Sequence, residues 1–183
     1  MFTAIPIMFY ALFDFEHEKK KFLEDPKLYE IGLKDQCFGI YIFWSWVIYA
    51  AIYAIILLFA NYVVIANALN YYGSPSSFWA SGSILYGAVV IVANLKLFSK
   101  FNIYNGWSEF LLFGSIGTYF LVYWIENLIP SIHELYGVFD FSMTLSVTYF
   151  SLLFSGLLVF TLDKMYDIGY FFIKEIRDSR KGL

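Results

Sequence analysis

FGIYIFWSWVIYAAIYAIILLFANYVV, residues 38–64, carries no charged side chain from end to end. A hydrocarbon core about 30 Å thick is crossed by roughly 20 apolar residues of helix, so this stretch is long enough to span a bilayer. Three more stretches of the same kind follow, at residues 79–97, 107–128 and 141–162. Ahead of them, residues 1–12 are apolar but supply only about half a span. They have neither a basic start nor a small-residue cleavage site, so they read as a partial transmembrane helix and not as a signal peptide. The expected fold class is an all-α membrane protein: the end of one transmembrane helix plus four complete ones in a bundle, with a cytosolic C-terminus.

Composition agrees with this. Of 183 residues, 60% are hydrophobic, 23% aromatic and 15% charged, against about 25% charged in soluble domains. A bilayer is therefore the expected solvent. The net charge of −3 and the lack of a clustered basic face exclude nucleic acid as a partner. The single cysteine, Cys37, forms no internal disulfide and reads as a packing or loop thiol.

The cations set the orientation, because short cytoplasmic loops retain Lys and Arg while translocated loops exclude them. Lys19, Lys20, Lys21, Lys27 and Lys34 precede the first full span. Lys96 and Lys100 lie between the second and third, and Lys164, Lys174, Arg177, Arg180 and Lys181 follow the fourth. These are all twelve basic residues, and each falls on one side of a four-span topology. Residues 13–37 then form a cytoplasmic loop, residues 38–162 the four-helix domain, and residues 163–183 a cytoplasmic tail. The connections near residues 67–78 and 129–140 hold no cation and face the lumen or exterior. In the tail, Tyr166, Ile168, Tyr170, Phe171, Phe172 and Ile176 alternate with charges. That pattern suits either an amphipathic helix on the membrane surface or a straight extension of the last span.

Little here can carry chemistry. His17 and His133 fall on opposite faces of the membrane and cannot share a metal. Glu109 and Glu126 sit near the ends of the third span, where a carboxylate reaches headgroups or water. Asn94 is the polar group best placed inside a span, suited to an interhelical hydrogen bond, and Lys96 can snorkel to the cytoplasmic surface. Small residues four apart, Ser83 with Gly87, Gly114 with Thr118 and Ser151 with Ser155, predict close helix approach. The chain holds no nucleotide-binding glycine loop, phosphorylatable aspartate motif, Cys/His cluster or nucleophile elbow. ATP hydrolysis by this chain alone is thereby excluded, and no catalytic, cofactor-binding or metal residue is assigned.

FTAIPIMFYALFDFE at residues 2–16, Pro26-Lys27-Leu28-Tyr29-Glu30-Ile31-Gly32 and Phe43-Trp44-Ser45-Trp46 together resemble one region of the phospholipid-transporting P-type ATPases, the lipid flippases. That region is the end of the sixth helix, the following cytoplasmic loop and the seventh helix. Val92-Ala93-Asn94-Leu95-Lys96-Leu97 is similar to the end of that family's eighth helix, and Trp107 with Gly114-Ser115 to its ninth. The resemblance implies the C-terminal membrane scaffold of an ATP-driven flippase that moves aminophospholipid from the exoplasmic to the cytoplasmic leaflet. Pro26, Tyr29, Gly32, Asn94 and Lys96 are carried over as structural motif residues. Gly169-Tyr170-Phe171-Phe172 resembles an autoinhibitory tail motif, with Phe171 where alanine is expected.

By the same resemblance, ATP and magnesium belong to the full-length parent and not to this chain. The partners are the lipid bilayer, the rest of the flippase polypeptide and an accessory β-subunit at the lumenal loops and last helix. The location is plasma, Golgi or endosomal membrane. Two alternatives differ in class: a small autonomous multi-pass protein that binds a partner or lipids, and a channel or carrier subunit. A pore wants one polar face through the membrane, which these spans do not offer. Autonomy conflicts with the partial first helix, whose free end would leave backbone groups unsatisfied in hydrocarbon.

Overall fold

A computed structural model of the chain describes residues 2–14, 39–65, 77–101, 106–130 and 135–181. Within them lie six helices: α1 (Ala4–Phe13), α2 (Ile40–Ile65), α3 (Phe78–Phe98), α4 (Gly106–Asn127), α5 (Val138–Thr144) and α6 (Ser146–Lys181). Four segments are long and apolar enough to cross a membrane, namely α2, α3, α4 and the Ser146–Gly169 part of α6. The all-helical membrane fold expected from the sequence is therefore present. Large apolar side chains point outward along its flanks, among them Ile55, Phe59, Phe113 and Leu153, each at least 65% exposed. Water would not tolerate so extensive an apolar surface on a monomer, whereas lipid would.

α3 is the centre of the bundle and packs against each of the other five helices. Toward α2 and α6 it contributes to two apolar clusters. One joins Ile65, Ile84, Ala88 and Leu152, and the other Tyr53, Leu57, Val92 and Val159. In a bilayer such helices are held by close packing and hydrogen bonds, because lipid tails are as apolar as the side chains they would release. Asn61 on α2 supplies the bonds here. Its Nδ2 donates to the Ser81 carbonyl of α3 at 3.2 Å, and its Oδ1 accepts from Ser151 Oγ of α6 at 3.3 Å.

Toward α4, the close approach is made at Gly87. A Cβ there would stand 2.9 Å from Tyr119 Cε1, so only glycine lets the Tyr119 ring lie against α3. The Tyr119 hydroxyl donates to the Ser83 carbonyl one turn away at 2.6 Å. Gly87 and Ser83 thus pack as their spacing predicts, and Ser151 and Ser155 are buried. Gly114 and Thr118 do not. Both are exposed, a Cβ on Gly114 would meet nothing within 4 Å, and Thr118 Oγ1 donates back to its own helix at the Gly114 carbonyl. Among the described residues their small-residue face meets no neighbouring helix.

The stretch 141–162 is not one helix. It divides at Leu145, whose extended backbone (φ −84°, ψ 113°) ends α5 before α6 begins. Carbonyls released by the break are taken up locally. Thr148 Oγ1 donates to the Ser142 carbonyl at 2.6 Å, and the Tyr149 hydroxyl to that of Met143 at 3.1 Å. α5 is also bound to α4: Asn127 accepts from the Phe139 N–H at 3.0 Å and donates to Asp140 at 3.1 Å, while Tyr123 and Ser142 share a hydrogen bond of 3.2 Å. Gly137, in the left-handed region (φ 76°), makes the turn into α5 that a side chain would strain. Beyond residue 162, α6 runs on without interruption to Lys181. Of the two forms open to the tail, it takes the straight extension.

α1 fills half the height of the bundle. Phe2 packs its ring against Tyr119 at 5.5 Å, and its carbonyl accepts from Ser115 Oγ, near the middle of α4. At the other end of α1, Tyr10 meets Phe101, just past the end of α3, at 5.1 Å. α1 therefore runs from mid-bundle to the end that carries Lys96 and Lys100.

Candidate functional site

Three helices bring polar side chains together at that lysine-bearing end. α2 offers Trp46, Tyr49 and Tyr53, of which the last two lie on one helix face because four residues make about one turn. α3 carries Lys96 in its last turn and Lys100 follows just past its end, and α6 passes them with Asp163 and Asp167. Lys96 Nζ lies 3.4 Å from Asp163 Oδ1, with the two side chains 25% and 14% exposed. The same carboxylate oxygen accepts from the Tyr53 hydroxyl at 2.7 Å and from the Tyr49 hydroxyl at 3.0 Å. The ammonium also sits over the rings of Tyr49 and Tyr53, at 4.3 and 4.5 Å from their centroids. A charge moved partly out of water is costly unless it is paired and hydrogen-bonded. Here Asp163 has a cation and two phenols, and Lys96 a carboxylate and two ring faces.

One turn farther out, Lys100 and Asp167 pair at 3.7 Å, each about half exposed, where water weakens such a contact. A cavity of about 180 Å³ lies between the two pairs, bounded also by Ser45, Trp46 and Tyr166. This cluster is an ionic and aromatic clamp. It ties α2, α3 and α6 together near Lys96 and Lys100.

Asn94, two residues before Lys96, is buried at 2% exposure. Its Nδ2 donates to the Val90 carbonyl at 2.9 Å and to Ser115 Oγ of α4 at 3.3 Å, and Ser115 in turn donates to the Phe2 carbonyl of α1. Asn94 is thus the first link of a polar rung joining α3, α4 and α1, the interhelical role that its position in the span suggested. Lys96, expected to snorkel to the surface, is held by Asp163 and the rings of Tyr49 and Tyr53. Asp163, Tyr49 and Tyr53 were not singled out by the sequence reading. Two signals pointed to them: opposite charges at matching ends of the second and fourth spans, and tyrosines four residues apart in the first.

Pro26, Tyr29 and Gly32 lie outside the described residues, as do Cys37, His17 and His133. Gly169, Tyr170, Phe171 and Phe172 all lie on the continuous α6, with Gly169 half-buried and Phe172 exposed. Glu109 is exposed at the start of α4, and Glu126 borders a groove on the opposite half of the bundle. Among the described residues no three His, Cys, Asp or Glu gather as metal ligands. Asp163 and Asp167 are both engaged by lysines. These side chains therefore do not fit a magnesium ion or a nucleotide.

Comparison with known proteins adds a family. The family described as phospholipid-translocating P-type ATPase C-terminal matches residues 1–176. The chain is similar to the phospholipid-transporting ATPase DRS2 of Saccharomyces cerevisiae, 30% identical over 127 residues, which cover 68% of this chain and 9% of that protein. It is 25% identical over 128 residues to the phospholipid-transporting ATPase C887.12 of Schizosaccharomyces pombe, covering 68% of this chain and 10% of that one. It is also 25% identical over 148 residues to the human phospholipid-transporting ATPase IG, covering 79% and 13%. The chain spans about a tenth of the length of these relatives.

Proposed function

The chain belongs to the phospholipid-translocating P-type ATPase C-terminal family, and on that footing we propose that it is the membrane scaffold portion of an ATP-driven phospholipid flippase. The observation that carries this reading is the family match over residues 1–176, which includes every transmembrane segment. In the parent protein, ATP and magnesium act in the portion outside this chain, and the lipid moved is an aminophospholipid passing from the exoplasmic to the cytoplasmic leaflet. α2, α3 and α6 stay fixed relative to one another while helices elsewhere in the parent move.

The geometry supports a fixed role. Apolar packing, the Asn61 bridge and the Asp163 clamp are all interactions that a sliding helix would have to break. Placing the lysine-bearing end in the cytosol follows from the cation distribution, and it puts α5 and the Asn127 contacts on the lumenal side. There an accessory β-subunit would meet the loops and the start of the last span. A plasma, Golgi or endosomal membrane suits such a protein.

The test is ATP-dependent uptake of fluorescent phospholipid by the full-length parent, reconstituted with and without a β-subunit. Headgroup-selective uptake is expected, and none from the 183-residue chain alone. A parent that hydrolyses ATP without moving lipid would refute the proposal.

A further inference from the structure

Pro6 stands in the first turn of α1 and is fully buried. A proline carries no N–H, so the carbonyl four residues back, that of Phe2, receives no bond from position 6. One residue along, the usual helical pairing is present: the Ile7 N–H donates to the Thr3 carbonyl at 3.3 Å. A carbonyl left open at mid-bundle must find its donor in protein, because hydrocarbon supplies none. Ser115 Oγ of α4 is that donor. Its hydroxyl takes the place of the amide hydrogen that Pro6 lacks.

A serine hydroxyl has one hydrogen and serves one acceptor at a time. A second acceptor stands beside it. Asn94 Oδ1 is buried and has no hydrogen-bond partner among the described residues, and it belongs to the same amide whose Nδ2 lies 3.3 Å from Ser115 Oγ. Turning that amide carries Oδ1 toward the hydroxyl. The turn releases the bond from Nδ2 to the Val90 carbonyl, but Val90 lies four residues before Asn94 on α3, so its carbonyl keeps the backbone N–H of the helix ladder. With Ser115 on Phe2, the Asn94 oxygen is open; with Ser115 on Asn94, the Phe2 carbonyl is open. Each arrangement leaves one acceptor unpaired, and two arrangements of equal count are what a two-state element requires.

We propose that Ser115 is a switchable latch on α1, its hydroxyl passing from the Phe2 carbonyl to Asn94 Oδ1 when α1 turns against α3 and α4. The proposal rests on the reading of this chain as part of a flippase, since the transport cycle is what turns α1. A backbone amide at position 6 would hold the Phe2 carbonyl permanently. Proline leaves that bond to a side chain that can let go.

Pro6→Val in the full-length parent keeps most of the ring's bulk and gives α1 its own donor for the Phe2 carbonyl. ATP-dependent lipid uptake, measured well below the thermal midpoint, is expected to fall severalfold while the midpoint holds or rises. A proline with a merely structural role would not separate the two. Ser115→Ala should lower the midpoint in the natural background and leave it unchanged beside Pro6→Val. Undiminished uptake by Pro6→Val would overturn the switch, and midpoint losses that simply add would show that Ser115 does not replace the missing amide. A natural parent that moves no lipid would refute the flippase reading, whereas non-additive midpoints would still uphold the latch.

Discussion

The two sides of α3 are unlike. Toward α2 and α6 it is closed: apolar clusters are packed, Asn61 joins three helices, and Lys96 ends in a clamp of a carboxylate and two tyrosines. Toward α1 and α4 it is closed only on the lysine-bearing half, through Asn94, Ser115 and Phe2, and beyond them it opens into a groove. Among the described residues the first side is tightly packed, while the second keeps a groove of about 300 Å³ walled by α3 and α4.

The strongest way to break this contrast is to wedge the central helix apart. Gly87→Leu places a side chain where Tyr119 Cε1 already stands 2.9 Å from the first added atom. Overpacking of this kind costs about 1–3 kcal/mol or more. A marked fall in the thermal midpoint in detergent is expected, against no change for Gly117→Leu, which adds bulk where a Cβ meets nothing within 4 Å.

Next in size is the clamp. Asp163→Leu strands Lys96 and removes the acceptor of both phenols, with an expected loss of about 1–3 kcal/mol. The Asp163→Asn and Tyr53→Phe pair should couple by at least about 0.5 kcal/mol in a double-mutant cycle. Strict additivity would show that the contacts do not act together.

The spans, their order and the lysine-bearing end were legible in the sequence because they depend on hydropathy and on the side each cation takes. The break at Leu145 was not. Residues 141–162 contain neither proline nor an early glycine, and the break is stabilised by Thr148, Tyr123 and Asn127 acting on groups brought near only by folding. The role of Asn94 was legible from its depth in a span, but the Asp163 partner of Lys96 lies 67 residues away by numbering (163 − 96) and required the packing of α3 on α6. Gly114 and Thr118 show the reverse failure: the right spacing on a face that the described residues leave open.

Asn61→Leu sharpens the comparison at a smaller scale. Interhelical hydrogen bonds in membranes average about 0.6 kcal/mol, and Asn61 bridges to both α3 and α6. A loss of about 1 kcal/mol is expected in steric-trap unfolding. Smallest of all is the effect of ending the chain before Gly169. The described members of the two apolar clusters all precede Asp163, so the thermal midpoint should hold within a degree or two. Basal ATP hydrolysis by the parent should rise if residues 169–172 restrain it, and an unchanged rate would eliminate that role.

The central claim is that the closed side stays fixed while the parent moves lipid. Cysteines at Ile91 and Gly156, where a Cβ on Gly156 would stand 3.8 Å from Ile91 Cγ2, allow α3 and α6 to be locked by a disulfide in the full-length protein. ATP-dependent lipid uptake, compared in the oxidised and reduced states, should agree within about twofold, an energy difference of about 0.4 kcal/mol. Uptake lost on oxidation and restored by reductant would show that these helices move during transport, and the account of this chain as a scaffold would be wrong.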